Sequence, residues 1–304
     1  MPTRVALLSG GTGGAKLARG LLDVVGPQAL TVIANPGDDA EVYGAHVSPD
    51  PDLVTYWLAD RIDSRGYGLR DDTWGVMEAM EAAGQDTWFR LGDGDLAMCL
   101  VRTQLMAEGH TATAAHAAVV GAMGVQARVL PACDQPVRTR VTAHGREWPF
   151  QEFMIVGGAR GPIEGVRFEG AERAHPTPEV LDALREADVV LIGPSNPVAS
   201  IGPILAVPAM AEALSAAPAP VVAVSPFVGG EVLKGPTVAF CEQAGIAPRA
   251  EGLLDAYAGL LDGLVADEPV SGLPTLQTDT RMDHAEDRRR VAAEAVDFAL
   301  GLAS

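Results

Sequence analysis

Four glycines stand within the five residues Gly10-Gly11-Thr12-Gly13-Gly14, between an aliphatic run ending at Ser9 and a helical pattern that includes Lys16. Glycines there let the backbone approach a phosphate closely. The following helix N-terminus offers free N–H groups and a positive dipole end. The loop is not a P-loop, because Leu17 rather than Ser or Thr follows Lys16. It also departs from GxGxxG, because Lys16 occupies the third glycine position. Ordinary ATP hydrolysis and ordinary NAD binding both lose support, and phosphate binding by the loop remains. A second cluster, Asn35-Pro36-Gly37-Asp38-Asp39, carries adjacent carboxylates that could hold Mg²⁺ or orient a hydroxyl nucleophile. Asp39 also reads as a helix cap.

Further polar clusters punctuate the chain. In His46-Val47-Ser48-Pro49-Asp50-Pro51-Asp52, Asp52 reads as the cap of a helix from Leu53 to Ala59, while Asp50 and His46 have no evident structural task. The turn Gly92-Asp93-Gly94-Asp95 could bind a metal, recognise a base or ribose, or cap a helix beginning near Leu96. Arg102, two turns further on, would meet a phosphate or a carboxylate. Gly193-Pro194-Ser195-Asn196-Pro197, with Ser200, closes an aliphatic run, and Asn196 suits base recognition. Ser225-Pro226-Phe227-Val228-Gly229-Gly230 closes another, and Lys234 after it could neutralise a phosphate. None of these clusters contains a Ser-His-Asp arrangement, a cysteine nucleophile or a His-rich metal set. Phosphoryl transfer needs mainly positioning, N–H donors and a metal, and this inventory fits it better than acyl transfer or redox chemistry.

The elements that must position these clusters are short. Arg4 to Ser9 is a strand, Ala15 to Val25 a helix and Leu30 to Ala34 a second strand, a unit that implies a parallel pair with a right-handed crossover. Met1-Pro2-Thr3-Arg4 leads straight into that first strand, which is too short for a signal peptide. Asp188 to Gly193 and Pro220 to Ser225 repeat the pattern, joined by a crossover helix over 204–216 that Pro208 kinks. These four strands predict an α/β fold with a Rossmann-like doubly wound, mainly parallel sheet. The middle differs. Asp72 to Gly84 and Leu96 to Gly124 read as helical, and Val137 to Val166 alternates as strands do. Leu253 to Leu264 and Ala285 to Leu302 read as helices, and Arg288-Arg289-Arg290 as a solvated face. The expected organisation is one domain over 1–304. Its core spans 1–60 and 185–265, with an inserted helical and small β subdomain over 61–184 and a C-terminal helix over 284–302.

Composition excludes several partners. The 304 residues include 22 basic and 40 acidic ones, a formal net charge of −18. Such a chain has no general attraction for nucleic acid or anionic lipid, so an anionic substrate must be held by local donors. No apolar run approaches the ~20 residues of a membrane span. Cys99, Cys133 and Cys241 are far apart and form no CxxC pair, which suggests a reducing, cytoplasmic compartment.

Taken in order, the motifs resemble those of the CofD/FbiA family, the 2-phospho-L-lactate transferases of coenzyme F420 biosynthesis. The resemblance runs from Leu8 to about Leu264. It rests on SGGTGGAKLARGL at Ser9 to Leu21, NPGDD at Asn35 to Asp39, HVSPDPD at His46 to Asp52, WFRLGDGDLA at Trp88 to Ala97, LVRTQLM at Leu100 to Met106, GPSNPVASIGPILAVP at Gly193 to Pro208 and VSPFVGG at Val224 to Gly230. It implies a cytoplasmic, Mg²⁺-dependent homodimer. A ribityl hydroxyl of the deazaflavin FO would attack the phosphorus next to the acid of a guanosine diphosphate conjugate, and GMP would leave. By that resemblance Gly11, Thr12, Gly13 and Gly14 hold the diphosphate, and Gly10 and Lys16 belong to the substrate- and nucleotide-binding set. Asp38 sits near metal and hydroxyl, and Asp50 is a second catalytic candidate. Ser195, Asn196 and Ser200 contact nucleotide or phosphate, and Asn35, Asp39, His46, Ser48, Asp93, Arg102 and Ser225 complete the binding set.

Four positions depart from the family pattern. Pro36 stands where Thr or Ile is usual, Gly94 where Arg is usual, Gln135 where Asp is usual and Leu53 where Thr is usual. Gly94 removes a cation and Gln135 an anion, so the transferred acid could be lactate, enolpyruvate or 3-phosphoglycerate. The alternative is a YvcK-like protein that binds a nucleotide or nucleotide sugar without turnover; SPDPD and LGDGDLA argue against it. A Rossmann oxidoreductase is a third reading, opposed by Lys16.

Overall fold

The computed structural model describes residues 2–229, 231, 232 and 235–303; Lys234 lies outside them. Strand β1 (Val5–Ser9) runs into helix α1 (Gly11–Val25), and β2 (Leu30–Ala34) follows. A hairpin of β3 (Ala40–Val42) and β4 (Ala45–Val47) leads to α2 (Pro49–Leu58). Helices α3 (Gly75–Ala82), α4 (Asp93–Ala107) and α5 (Ala112–Ala122) precede β5 (Arg128–Pro131). A small antiparallel sheet, β6 (Arg138–Ala143), β7 (Arg146–Pro149) and β8 (Ile163–Glu169), carries α6 (Phe150–Ile155) between its last two strands. The chain returns through α7 (Pro178–Glu186) to β9 (Val189–Ile192). A π-helical turn (Pro197–Ile201) continues into α8 (Gly202–Leu205), then α9 (Met210–Ser215) and β10 (Val221–Val224). The last elements are β11 (Phe227–Val228), β12 (Glu231–Val232), α10 (Thr237–Ala244), α11 (Gly252–Ala256), β13 (Gly263–Ala266), β14 (Thr275–Gln277) and α12 (Ala285–Leu302).

The main sheet is parallel throughout, in the order β14-β13-β10-β9-β1-β2-β5. Its central strands are short aliphatic runs buried on both faces, as a sheet covered by helices on either side requires. Successive residues serve opposite layers: Leu8, Ile33 and Ile192 pack with α7, α8, α9 and α11, while Leu7, Val32 and Leu191 pack with α1, α2 and α12. The winding starts at β1, proceeds outward to β5 and then resumes on the other side at β9. In open α/β sheets the crevice beyond the carboxyl ends of the strands at that reversal is where ligands bind.

Three strands exceed the expected four. β5 joins the sheet from within the middle segment, and the stretch expected as one helix over Leu253 to Leu264 splits into α11 and the start of β13. Short apolar runs fit either period, so tertiary packing decides; β13 closes against Phe298 and Leu302 of α12. Three helices also start earlier than expected. α1 begins at Gly11 rather than Ala15, α2 at Pro49 rather than Leu53, and α4 at Asp93 rather than Leu96. Pro49 suits a first helical turn, so Asp52 sits inside α2 and does not cap it. Asp39 precedes β3 and caps no helix.

Packing explains part of the glycine loop. A Cβ at Gly13 would collide with the Pro194 carbonyl, and one at Gly14 with Ser9 Oγ and, at 2.9 Å, Ser195 Oγ. Gly13→Ala is therefore expected to cost roughly 3 kcal/mol by forcing two backbones apart. Gly121→Ala, on an exposed turn of α5 where a Cβ meets nothing within 4 Å, is expected to stabilise slightly. Urea unfolding of the two variants checks the contrast.

Candidate active site

At the reversal point the β1–α1 junction lies against the segment after β9. Gly10 N–H donates to Ser195 Oγ at 3.4 Å, and a Cβ on Gly10 would be 2.6 Å from Ser200 Cβ. Asn196 Oδ1 accepts from Val198 and Ala199 N–H at 2.9 and 3.0 Å and so starts the π-helical turn. Gly10, Thr12, Ser195, Asn196 and Ser200 thus come together in one crevice. Ser225 does not offer a free hydroxyl to it. Its Oγ accepts from Phe227 N–H at 3.1 Å and donates to Phe227 O at 3.2 Å, and it is 1% exposed. Lys16 also stands apart, pairing with Asp283 at 3.5 Å.

A carboxylate pair lies beside this crevice. Asn35 Nδ2 donates to Asp38 Oδ1 at 2.9 Å and to Asp50 Oδ2 at 2.8 Å, while its Oδ1 accepts from Gly37 N–H at 2.7 Å. Asn35 is therefore a clamp, with both amide protons committed to the two carboxylates. Asp50 Oδ1 takes Gly11 N–H at 2.7 Å, so a carboxylate of the chain itself already occupies one donor of the α1 N-terminus. Thr139 N–H donates to Gly37 O at 2.7 Å, and Gln151 Nε2 to Asp38 O at 3.4 Å, so the small β subdomain buttresses the turn. Asp38 Oδ2 takes no hydrogen bond among the described residues, and Asp38 faces a cavity. Burial, and next the Asp50 charge, push the Asp38 carboxyl well above its ordinary range; burial pushes Asp50 up to about 6. Two desolvated carboxylates bridged by one amide keep a proton between them or take a cation. That donor set suits Mg²⁺, which commonly takes one or two carboxylates and completes its shell with water and substrate phosphate oxygens.

Asp39 faces away from this pair. Its Oδ2 lies 3.2 Å from His46 Nε2, and Glu41 Oε1 lies 2.7 Å from His46 Nδ1. Burial works against the imidazolium, but Asp39 and Glu41 together outweigh it and raise the His46 pKa. A raised histidine pKa contributes stability that is complete below its unfolded value and lost as pH rises through the folded one. His46→Asn is thus expected to flatten the decline in stability as pH rises above the ordinary imidazole value of about 6.5. Urea midpoints across that range test it.

Arg102 meets no phosphate. It is 1% exposed, bonded through NH2 to Asp52 Oδ1 and through NH1 to His46 O at 3.1 Å. Thr55 Oγ1 donates to Pro51 O at 2.8 Å and so accepts from His116 Nε2–H at 3.2 Å. His116 is neutral, held down by burial and by Arg102. Asp93 is also structural. It accepts from Thr73 Oγ1 at 2.5 Å and from Gly75 and Val76 N–H at 2.9 Å, holding the start of α3. Asp72 reciprocates for α4, accepting from Gly94 and Asp95 N–H at 2.8 and 3.0 Å. Ser48 is buried at the N-cap position of α2.

The cavity these elements enclose measures about 500 Å³. Asp38, Asp50, Asp52 and Asp95 line one wall, and Thr12 reaches it from α1. Trp74, Phe89 and Phe150 also line the cavity, with Tyr56 beside Asp95 and Gln151 beside Asp38. Arg65 and Arg90 stack on Trp74, their guanidinium carbons 5.6 and 5.3 Å from its ring. Burial raises Asp95 to about 7. The aromatic wall and Gln151 escaped the motif reading because they come from separate segments. Aromatics amount to only 5% of the chain, and their concentration here is a property of the fold. Of the departures, Leu53 lines the cavity, Pro36 is buried, and Gly94 adjoins the wall through Asp72. Gln135 is exposed elsewhere, accepting from His175 N–H at 3.0 Å. A second depression, about 540 Å³, lies at the amino ends of β10 and β13, the opposite edge of the sheet.

Comparison with known proteins gives four findings. The family described as 2-phospho-L-lactate transferase CofD matches residues 5–298. The chain is 40% identical to a 2-phospho-L-lactate transferase of Methanopyrus kandleri, over 97% of each chain. It is 41% identical to a phosphoenolpyruvate transferase of Kitasatospora aureofaciens, over 87% of this chain and 85% of that one. A crystal structure of a UPF0052 family protein from Bacillus halodurans superposes with a TM-score of 0.65 at 18% identity, over 97% and 99% of the two chains, and shares the fold.

Proposed function

The chain belongs to the 2-phospho-L-lactate transferase CofD family, and from that premise we propose that it joins a phospho-acid to the ribityl hydroxyl of FO, using a guanosine diphosphate conjugate as donor and releasing GMP. The observation that carries this reading is Asp38. Its Oδ2 is an unengaged carboxylate oxygen, facing an aromatic-walled cavity beside the crevice where a doubly wound sheet binds nucleotides. The cavity's volume suits a flat cofactor-sized acceptor, and the half-buried Trp74, Phe89 and Phe150 supply surfaces on which its ring would stack.

In this mechanism Gly10, Thr12, Ser195, Asn196 and Ser200 hold the donor's nucleotide and diphosphate. Asp38 Oδ2 accepts the proton of the acceptor hydroxyl as its oxygen bonds to the phosphorus nearer the acid. The bond from that phosphorus to the bridging oxygen breaks, and GMP departs with the electron pair. Asp50, fixed by Asn35 and Gly11, keeps Asp38 oriented and basic enough to act. Asp38 and Asp50 would hold Mg²⁺, which when bound neutralises diphosphate charge. The acid could be lactate, enolpyruvate or 3-phosphoglycerate, since relatives named for the first two are similarly close. A cytoplasmic homodimer belongs to the same reading, and among the described residues no helix is long and apolar enough to cross a membrane.

Equilibrium titration tests the assignment of the two subsites. FO and GDP are both expected to bind, and Trp74→Ala is expected to weaken FO about tenfold while leaving GDP unchanged. Binding of GDP without FO would favour the regulatory, non-turnover alternative.

A further inference from the structure

Below the acidic wall, α2 and α4 face each other with matching pairs. Asp52 and Tyr56 stand one turn apart on α2, and Asp95 and Cys99 one turn apart on α4. The four-residue spacing puts each pair on one helix face. One oxygen from each aspartate and the Cys99 sulfur all lie within 4.8 Å of one another. Tyr56 OH donates to Asp95 Oδ1 at 2.8 Å, and Arg102 engages Asp52 Oδ1. Asp52 Oδ2 is left with no partner among the described residues, on a side chain only 5% exposed. An orphaned buried carboxylate oxygen is costly, and the transfer mechanism does not use it.

Charge and donor type narrow what would satisfy it. Asp52, Asp95 and Cys99, fully deprotonated, bring three negative charges. Arg102 is the cation bonded to this group, and His116 beside it is neutral. A divalent ion cancels the remainder. Two carboxylates with a thiolate match Zn²⁺, not Mg²⁺, which selects oxygen alone. We propose that Asp52, Asp95 and Cys99 form a binding site for a thiophilic divalent cation of the Zn²⁺ class. It is separate from the Asp38–Asp50 pair, and one coordination position opens to the cavity. Asp52 and Asp95 both line that cavity, which gives the ion its route. Arg102 and Tyr56 each engage one of the two carboxylates, as outer partners of metal ligands do.

Cobalt substitution tests the site without any substrate. Metal-free protein given one equivalent of Co²⁺ is expected to show a sulfur-to-cobalt charge-transfer band in the near ultraviolet, which Zn²⁺ displaces at one ion per chain. Cys99→Ser abolishes the band and lowers Zn²⁺ affinity at least about tenfold, and Asp95→Asn lowers that affinity similarly. Asp38→Asn, Cys133→Ser and Cys241→Ser keep the band. Circular dichroism confirms that each variant is folded, and Asp95→Asn decides the matter if Cys99→Ser is not. A wild-type protein without the band overturns the proposal. So does zinc retained equally by Cys99→Ser and Asp95→Asn, which would be adventitious surface zinc only. Neither result bears on the transfer reaction, because no FO or nucleotide is present.

Discussion

Asp38→Asn is expected to lower the turnover of phospho-acid transfer by about 10²–10⁴-fold while the protein remains folded. Asparagine keeps the shape and still fills the space beside Asn35, but it cannot take a proton from the attacking hydroxyl. Asp38 is positioned from every side except the cavity, by the Asn35 amide and by the Thr139 and Gln151 contacts to its turn. The loss should fall on kcat, with the KM for FO changing little, because the aromatic wall that would bind the ring is untouched. The pH profile adds a second readout. A general base must be deprotonated, and burial raises both Asp38 and Asp50. The wild-type rate should therefore fall as pH is lowered through this range, and the residual Asp38→Asn rate should lack the Asp38 contribution to that limb. Full activity in Asp38→Asn would remove the proposed role.

Arg102→Met carries the largest expected effect on stability, a loss of about 3–5 kcal/mol. The substitution leaves the Asp52 carboxylate buried with no cation, and it breaks the link from α4 to the His46 carbonyl. The double variant Asp52→Asn/Arg102→Met should recover much of the loss, since neutralising both partners removes the stranded charge. Urea unfolding of the two single variants and the double variant gives the coupling directly. A single-variant loss below about 1 kcal/mol would mean that Arg102 is not the strut described here.

The two expectations also show what the chain discloses as text. Asp38 and Asp50 are readable because adjacent polar residues closing an aliphatic run are rare and chemically pointed. The strands β1, β2, β9 and β10 are readable because four or more aliphatic residues lie between turn formers. β14 is not, since Thr275-Leu276-Gln277 has one apolar residue and is recognisable only beside β13. Arg102 reads as a partner of either a phosphate or a carboxylate because Asp52, which decides between them, is 50 residues away. Asp93 reads as a ligand for the same reason: the N–H groups it satisfies belong to α3, 17 and 18 residues earlier. Gly13 and Gly14 suggest phosphate, yet the Pro194 carbonyl beside the first and the Ser9 and Ser195 hydroxyls beside the second already require them. Local pattern thus reports the chemistry available, and long-range packing decides which groups remain free to perform it.

The central claim is that this chain transfers a phospho-acid to FO. The most direct measurement is mass spectrometry of FO incubated with the protein, Mg²⁺, GTP, a guanylyltransferase and a mixture of phospholactate, phosphoenolpyruvate and 3-phosphoglycerate. The account predicts a phospho-acid adduct of FO together with GMP, formed far more slowly by Asp38→Asn, and the adduct's mass names the acid. Unchanged FO in the presence of a demonstrated donor conjugate would contradict it.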